Sequence, residues 1–481
     1  QRRQRRKVVL FRAVGGQGVR GGSLWNGRQG SRDCGMKTLQ LARHWARNAR
    51  IDCHALLQRL PAAGLVTGSS LLKYPQARCL SQETQGSSKF PYKHMVGGIP
   101  DAMKVGDQSV LVRDRGGFRM VTLNRPRALN ALNEPMILSM YGHFKTWEEG
   151  DLVTGILLKG EGKAFCAGGD VKAVTEKYKQ GFREEVFNFF RTEYRLNHLI
   201  ATMRTPFVAL LDGVTMGGGA GVSVHGDFRI ATEKTLFAMP ECALGLFTDV
   251  GATHFLTHKA RYEIGVYMAL CGARVRGREL VQIGLATHFV PSFKLEELES
   301  RLGDARWGGR DVEVVRAMIE EFADPHEKVD LGGESGPGAG EMSVDTIVTH
   351  ANEIVEVFAL ETLEEICEEL GRRSEAGSAW ARDALKSIQK ASPTSLRITH
   401  EALKRARHST LEDALKMEFT ILHAFMDGHD FYEGVRAILV DKDNKPKWSP
   451  ATLAEVGDDV VEDYFSDKGD DLVFESGRSK L

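Results

Sequence analysis

Two glycine-rich segments constrain this chain more than any other feature. Residues 164–170 read AFCAGGD and residues 215–222 read TMGGGAGV, each lying between a short apolar run and a helical stretch. Glycine lets a backbone turn sharply, take positive φ and approach a ligand closely, and a following helix offers free N–H groups. Neither segment carries the GxGxxG of a dinucleotide site or the GxxxxGK[ST] of a Walker loop. Singly, such a turn is structural more often than not. Two turns whose N–H groups converge are the parts of an oxyanion hole, which holds charge developing on a carbonyl oxygen.

The pattern around these turns predicts the fold class. Strands are expected at 118–123, 156–158, 207–211, 228–231 and 236–238, with a helix from Ala128 to Trp147. Strands alternating with helices predict a layered α/β arrangement with sites at strand ends beside helix N-termini. Beyond about Gly303 apolar spacings of three and four predict helices over 343–370, 378–390, 394–407 and 410–427. Ser392-Pro393 reads as an N-cap followed by proline at the first helical position. The stretch DLGGESGPGAG at 330–340 reads as a flexible surface loop, and no long-period repeat is present.

Charge divides the chain in a way its total hides. The 481 residues carry 64 basic and 64 acidic groups, yet residues 1–90 hold 17 Lys/Arg against 3 Asp/Glu. The net +14 at the front leaves −14 over the rest. A basic, acid-poor start ahead of an acidic body is the pattern of a transit peptide. Met36 reads as the initiator behind a leader, the following Leu39, Leu41 and Trp45 with Arg43, Arg47 and Arg50 as an amphipathic basic helix, and Arg78-Cys79-Leu80-Ser81 as a processing site. No apolar run approaches the ~20 residues needed to span a bilayer. Seven cysteines without a CxxC pair or a zinc spacing predict reduced thiols in a soluble mitochondrial matrix protein. The acidic body argues against nucleic acid as a partner; the cluster Lys404-Arg405-Ala406-Arg407-His408 is the one local counter-signal and reads as a solvated helix end.

A third segment, AMPECALGLFTDVG at 238–251, sets Glu241 and Asp249 eight residues apart among apolar neighbours. Apolar surroundings raise a carboxyl pKa and fit it for nucleophilic or acid/base duty, though a capping Asp and a solvated Glu give the same spacing. His254 and His258, four apart, lack a suitably spaced carboxylate and read as ordinary histidines rather than metal ligands.

The ordered set NRPRALNAL, FCAGGD, TMGGGAG and AMPECALGLFTDVG resembles the crotonase (enoyl-CoA hydratase/isomerase) superfamily from about Gly117 to Trp448, and within it the branch that hydrolyses 3-hydroxyisobutyryl-CoA. SPTSLRITHEAL and DFYEGVRAILVDKDNKPKW look like features of that branch. The resemblance implies a spiral of β-β-α units over 105–302, a helical part over 303–460 covering the acyl pocket, and an acidic tail over 461–481. It implies an oxyanion hole of the Gly169 and Gly218 N–H groups, with Gly168 and Gly217 beside them binding substrate. It implies catalytic Glu241 and Asp249, the aspartate orienting the substrate hydroxyl or assisting proton transfer, with Glu193 contacting substrate unless it is a solvated helix residue. Gly221 stands where the hydratases have their first catalytic glutamate, which argues against water addition to a double bond. Thr248 replaces a proline common before the aspartate, which leaves the placement of Asp249 less fixed. The activity implied is hydrolysis of an acyl-CoA thioester in valine breakdown, with Glu241 as nucleophile or base and no cofactor beyond the coenzyme A of the substrate. Other acyl-CoA hydrolases or isomerases share the scaffold, and some relatives serve in the mitochondrial ribosomal small subunit. Members of the superfamily often form trimers, a homo-oligomeric packing that the longer C-terminal part of the hydrolase branch can change.

Overall fold

The computed structural model describes residues 108–304, 309–325 and 347–474. The expectations for Met36, the basic helix, the Ser81 processing site and the 330–340 loop lie outside these residues.

Ten strands form two sheets: β1 (Val110–Arg115), β2 (Phe118–Leu123), β3 (Gly155–Gly160), β4 (Ala164–Cys166), β5 (Phe207–Leu211), β6 (Val214–Met216), β7 (Phe228–Ala231), β8 (Leu236–Ala238), β9 (Val275–Arg276) and β10 (His288–Phe289). The larger sheet runs β1-β2-β3-β5-β7-β10 and the smaller β4-β6-β8-β9. Three successive strand pairs, β3/β4, β5/β6 and β7/β8, therefore each place their first strand in the larger sheet and their second in the smaller. Helical segments follow each pair, and both stacks, β3-β5-β7 and β4-β6-β8, are parallel. This is the expected α/β spiral of β-β-α units.

Alternation along the strands of the larger sheet divides the apolar side chains between two cores, because successive strand residues face opposite sides. Ile156, Leu158, Phe207, Ala209 and Leu211 enter the main core, which the smaller sheet and most helices close. Met120, Leu157, Val208, Leu210 and Ile230 face the other way, under helices Leu295–Asp304 and Val312–Glu320.

Two element boundaries differ from the sequence reading. The first helix begins at Glu134, not at Ala128: residues 126–128 form a short 3-10 turn, and Leu129 and Asn130 are left-handed. Asn130 explains the delay, since its Oδ1 accepts from Arg125 N at 2.8 Å and its Nδ2 donates to Ala164 O at 2.8 Å. Side-chain bonds of this kind draw a backbone out of helix. Asn133 then caps the helix, accepting from Met136 N at 3.1 Å. The long helix expected over 343–370 is two within the described residues, Ala351–Phe358 and Leu363–Glu375. The second starts with a Thr362/Glu365 capping box. Ser392 caps helix Pro393–Ala406 as expected.

The expected boundary between helical part and acidic tail, at 460/461, falls inside helix Asp458–Tyr464. Its continuation runs back along helix Arg183–Thr202, where Arg191 pairs with Asp470, Arg195 Nε donates to Val473 O at 3.0 Å and Leu472 is buried. No helix among the described residues is long and apolar enough to cross a membrane.

Candidate active site

The two glycine turns meet. Leu132 forms a parallel bridge with Gly169, its N–H donating to Gly168 O and its carbonyl accepting from Asp170 N, each at 2.8 Å. Both bonds use the residues flanking Gly169, so the Gly169 N–H is left facing away from Leu132. Gly218 is the first residue of helix Gly218–Val224, where N–H groups lack an intrahelical partner. A Cβ on Gly218 would lie 3.2 Å from the Gly169 nitrogen, so the two free donors are neighbours around one small space. Gly168 and Gly217, at φ +115 and +48, make the turns that bring them there.

Helix Arg183–Thr202 lines this space with three side chains. Glu193 is 2% exposed, its Oε1 2.6 Å from where a Gly218 Cβ would stand, with no hydrogen-bond partner. Tyr194 donates its hydroxyl to Asp249 Oδ2 at 2.8 Å. Asn197 is fully buried and neither amide atom has a partner among the described residues.

The third segment supplies the remaining acids. Glu241 opens a 3-10 turn, Glu241–Leu244, that follows β8. Its Oε1 lies 2.8 Å from where a Gly217 Cβ would stand, and its Oε2 is buried without a partner. Asp249 precedes Val250 and Gly251, both at positive φ. A β-branched residue in that region is strained and persists only where its surroundings hold it. Here His225 Nε2 bonds Val250 O at 2.9 Å, and Glu418 Oε2 accepts from Gly251 N at 2.6 Å. Glu418 Oε1 also accepts from Thr253 Oγ1 at 2.6 Å and from Thr253 N at 3.1 Å. Burial pushes the His225 ring down to about 3, so it is neutral and donates Nε2–H to the Val250 carbonyl.

Glu193, Glu241 and Asp249 thus gather at the glycine turns with Glu418 behind the Asp249 segment, and none of the four is paired with a cation among the described residues. Burial, then the charge of Asp249, holds Glu193 and Glu241 well above the usual carboxylate range. Burial raises Asp249 to about 7 against the pull of the Tyr194 donor. Burial raises Glu418 to about 8 against the Thr253 and Gly251 donors. All four are thus displaced toward the protonated form, burial being the first cause in each case. Such a set, beside two N–H donors, has the chemistry to hold a carbonyl oxyanion and to supply an attacking oxygen and a proton store.

Gly168, Gly169, Gly217, Gly218, Glu193, Glu241 and Asp249 are all brought together. Tyr194, Asn197 and Glu418 were not foreseen. Asn197 carried a faint signal, lying one helical turn after Glu193 in FNFFRTEYRLNHL, whereas Glu418 had none. Gly221 has no room for a glutamate: a Cβ there would meet Val250 Cβ at 2.7 Å and Asn197 Nδ2 at 3.0 Å. Thr248 is held by its own N–H, which donates to Thr399 Oγ1 at 3.2 Å, a bond a proline has no hydrogen to make. His254 and His258 stack with ring centroids 4.1 Å apart, and no group of three or more metal-ligating side chains occurs among the described residues.

The model of the enoyl-CoA hydratase/isomerase family matches residues 118–465. The mitochondrial 3-hydroxyisobutyryl-CoA hydrolase of Gallus gallus is 44% identical over 361 residues, 75% of this chain and 89% of the relative. The Homo sapiens protein of the same name is 42% identical over 371 residues, 76% and 91% of the two chains. Among solved structures, a carnitinyl-CoA dehydratase from Mycobacterium thermoresistibile is similar at TM-score 0.67 and 35% identity, covering 77% of this chain and all of its own (100%). An enoyl-CoA hydratase from Rhodobacter sphaeroides 2.4.1 is similar at TM-score 0.65 and 31% identity, covering 76% and 100%.

Proposed function

The chain belongs to the enoyl-CoA hydratase/isomerase family, and from that premise we propose that it hydrolyses the thioester of 3-hydroxyisobutyryl-CoA to 3-hydroxyisobutyrate and coenzyme A. The observation that carries this reading is the pairing of buried Glu241 and Asp249 beside the Gly169 and Gly218 donors, with the Gly221 position closed to a second hydratase glutamate. The relatives named as hydrolases of this ester support the choice of substrate.

In this mechanism the acyl carbonyl oxygen lies between the N–H groups of Gly169 and Gly218. Each such donor lowers the barrier by about 3–4 kcal/mol, because it meets charge that develops only in the transition state. Glu241, once its proton has passed to the neighbouring acids, delivers the attacking oxygen: either its own, giving a mixed anhydride that water then opens to free the acid and restore the carboxylate, or that of a water it deprotonates. The C–S bond breaks and the thiolate of coenzyme A takes up a proton. Asp249, near 7 and steadied by Tyr194, is the group suited to pass that proton on. Glu193 closes the floor of the carbonyl site beside Gly218. No step calls for a cofactor, coenzyme A being part of the substrate.

The relatives' printed location supports a mitochondrial site, and the basic first 90 residues support import to the matrix. A ribosomal role draws no support from the one basic cluster: Lys404 is paired with Glu361, Arg405 with Glu401 and Glu462, and Arg407 lies over the Tyr262 ring. The test is release of free thiol from a panel of acyl-CoA esters by the full chain. Turnover of 3-hydroxyisobutyryl-CoA without hydration of crotonyl-CoA is expected. Hydration of the enoyl ester outpacing thioester cleavage would overturn the reading.

A further inference from the structure

We propose that Asn197 recognises the hydroxyl group of the acyl chain, so that it sets the preference for hydroxyacyl over plain acyl thioesters. This rests on the thioester-hydrolase reading above and extends it to a residue that reading does not use.

Helix Arg183–Thr202 lies along helix Gly218–Val224 in matched steps. Glu193 meets Gly218, and Asn197, one turn further, meets Gly221. Because Gly221 has no side chain, the Asn197 Nδ2 comes within 3.0 Å of the Cβ position there. The amide is fully buried, yet its Nδ2 and Oδ1 are both without partners among the described residues. A buried polar atom left unpaired costs about 1–3 kcal/mol, and buried polar groups are almost always satisfied. An amide with both ends open, at the site of the reaction, calls for a partner from outside the chain.

A hydroxyl is the partner this amide fits. It accepts from Nδ2 and donates to Oδ1, satisfying both ends, which a methyl group cannot do. The neighbouring polar atoms without partners, Glu193 Oε1 and Glu241 Oε2, are carboxyl oxygens, and the Tyr194 hydroxyl is committed to Asp249. Asn197 therefore brings an uncommitted N–H donor to a site crowded with acids. The spacing agrees. Gly221 is three residues along the helix from Gly218, a rise of about 4.5 Å, the scale on which a hydroxyl two carbons from the thioester carbonyl is offset from the carbonyl oxygen.

A side chain that holds the hydroxyl alike in ground and transition state acts on KM more than on kcat. The test compares 3-hydroxyisobutyryl-CoA with isobutyryl-CoA in the wild-type chain and in N197L, which keeps the branching at Cγ, though bulkier, and removes both polar ends. Expected is a loss of about 30-fold in kcat/KM for the hydroxylated ester, carried by KM, with less than threefold change for isobutyryl-CoA. An equal loss on both esters, the signature of a merely structural amide or one that holds only a buried water, would overturn the proposal. So would no change on either. If N197L does not fold, N197D, which keeps the shape and removes the donor, is read the same way. Dissociation constants of the two esters separate the proposal from its premise. Absence of turnover in the wild type refutes the hydrolase reading. A hydroxyl preference in binding that survives N197L refutes the role of Asn197.

Discussion

Glu148 and Glu241 are both glutamates that the fold draws in from water, and their surroundings treat them in opposite ways. Burial acts to raise Glu148, but donors in the turn before β5 outweigh it. Thr205 donates its hydroxyl at 2.8 Å and its N–H at 3.0 Å, and Arg204 Nε lies at 3.0 Å, so the carboxyl sits below its ordinary range. Glu241 has no such company: its Oε2 is unpartnered and Asp249 adds a like charge. Asp427 repeats the first case, held low chiefly by the Arg183 guanidinium, and Asp249 the second. Acids that hold the fold together arrive with their donors; acids at the glycine turns arrive without cations and wait for substrate. The second arrangement costs stability and is retained where protons must move.

The largest effect that would break this contrast concerns the donors the acids face. Gly218→Ala places a methyl 3.2 Å from the Gly169 nitrogen and against Glu193 Oε1. The methyl crowds the space in which a carbonyl oxygen would meet both N–H groups, and kcat/KM is expected to fall by about 10²-fold, the usual scale for loss of an oxyanion-donor contact. Full activity in this variant would place the carbonyl elsewhere. A smaller effect is expected from Tyr194→Phe, which removes a bond that favours ionised Asp249. The cluster then sheds its protons at higher pH, so the acid limb of kcat/KM moves to higher pH than in the wild type. A pH profile that stays in place would separate Asp249 from the reacting cluster.

The smallest effect is on stability, and its sign distinguishes the two kinds of acid. Asp249 folds with a pKa of about 7 against an ordinary 3.8. Between those values the folded chain holds a proton that the unfolded chain has released, so stability falls as pH rises through that window. Asp249→Asn is therefore expected to raise the melting temperature by a few degrees at pH 8 and to leave it near wild type at pH 4. Asp427→Asn, removing a carboxylate paired with Arg183, should lower it slightly at pH 8. Melting curves in which both variants move the same way at pH 8 would remove the distinction.

What could be read from sequence was what is local in sequence. The glycine turns lie within seven or eight residues each, and Glu241 and Asp249 share one segment, so their types and spacing were visible together. Strands β2, β5, β7 and β8 fell where apolar runs put them. The first helix was placed too early because the choice at Asn130 depends on carbonyls about thirty residues away, at Glu161 and Ala164. Glu418 left no trace for the same reason. It reaches Gly251 and Thr253 across 167 and 165 residues, and nothing near it in the chain marks it as other than one acid on an amphipathic helix. Tyr194 likewise gains its role only from Asp249, 55 residues on.

The central claim is that Glu241, buried without a cation beside the glycine donors, delivers the attacking oxygen. Glu241→Gln preserves its shape and removes the carboxyl that can ionise and attack, so turnover of 3-hydroxyisobutyryl-CoA by this variant is the most direct measurement. A fall in kcat of about 10³-fold, with the dissociation constant for the ester nearly unchanged, is the predicted result. Turnover within a few-fold of the wild type would contradict it.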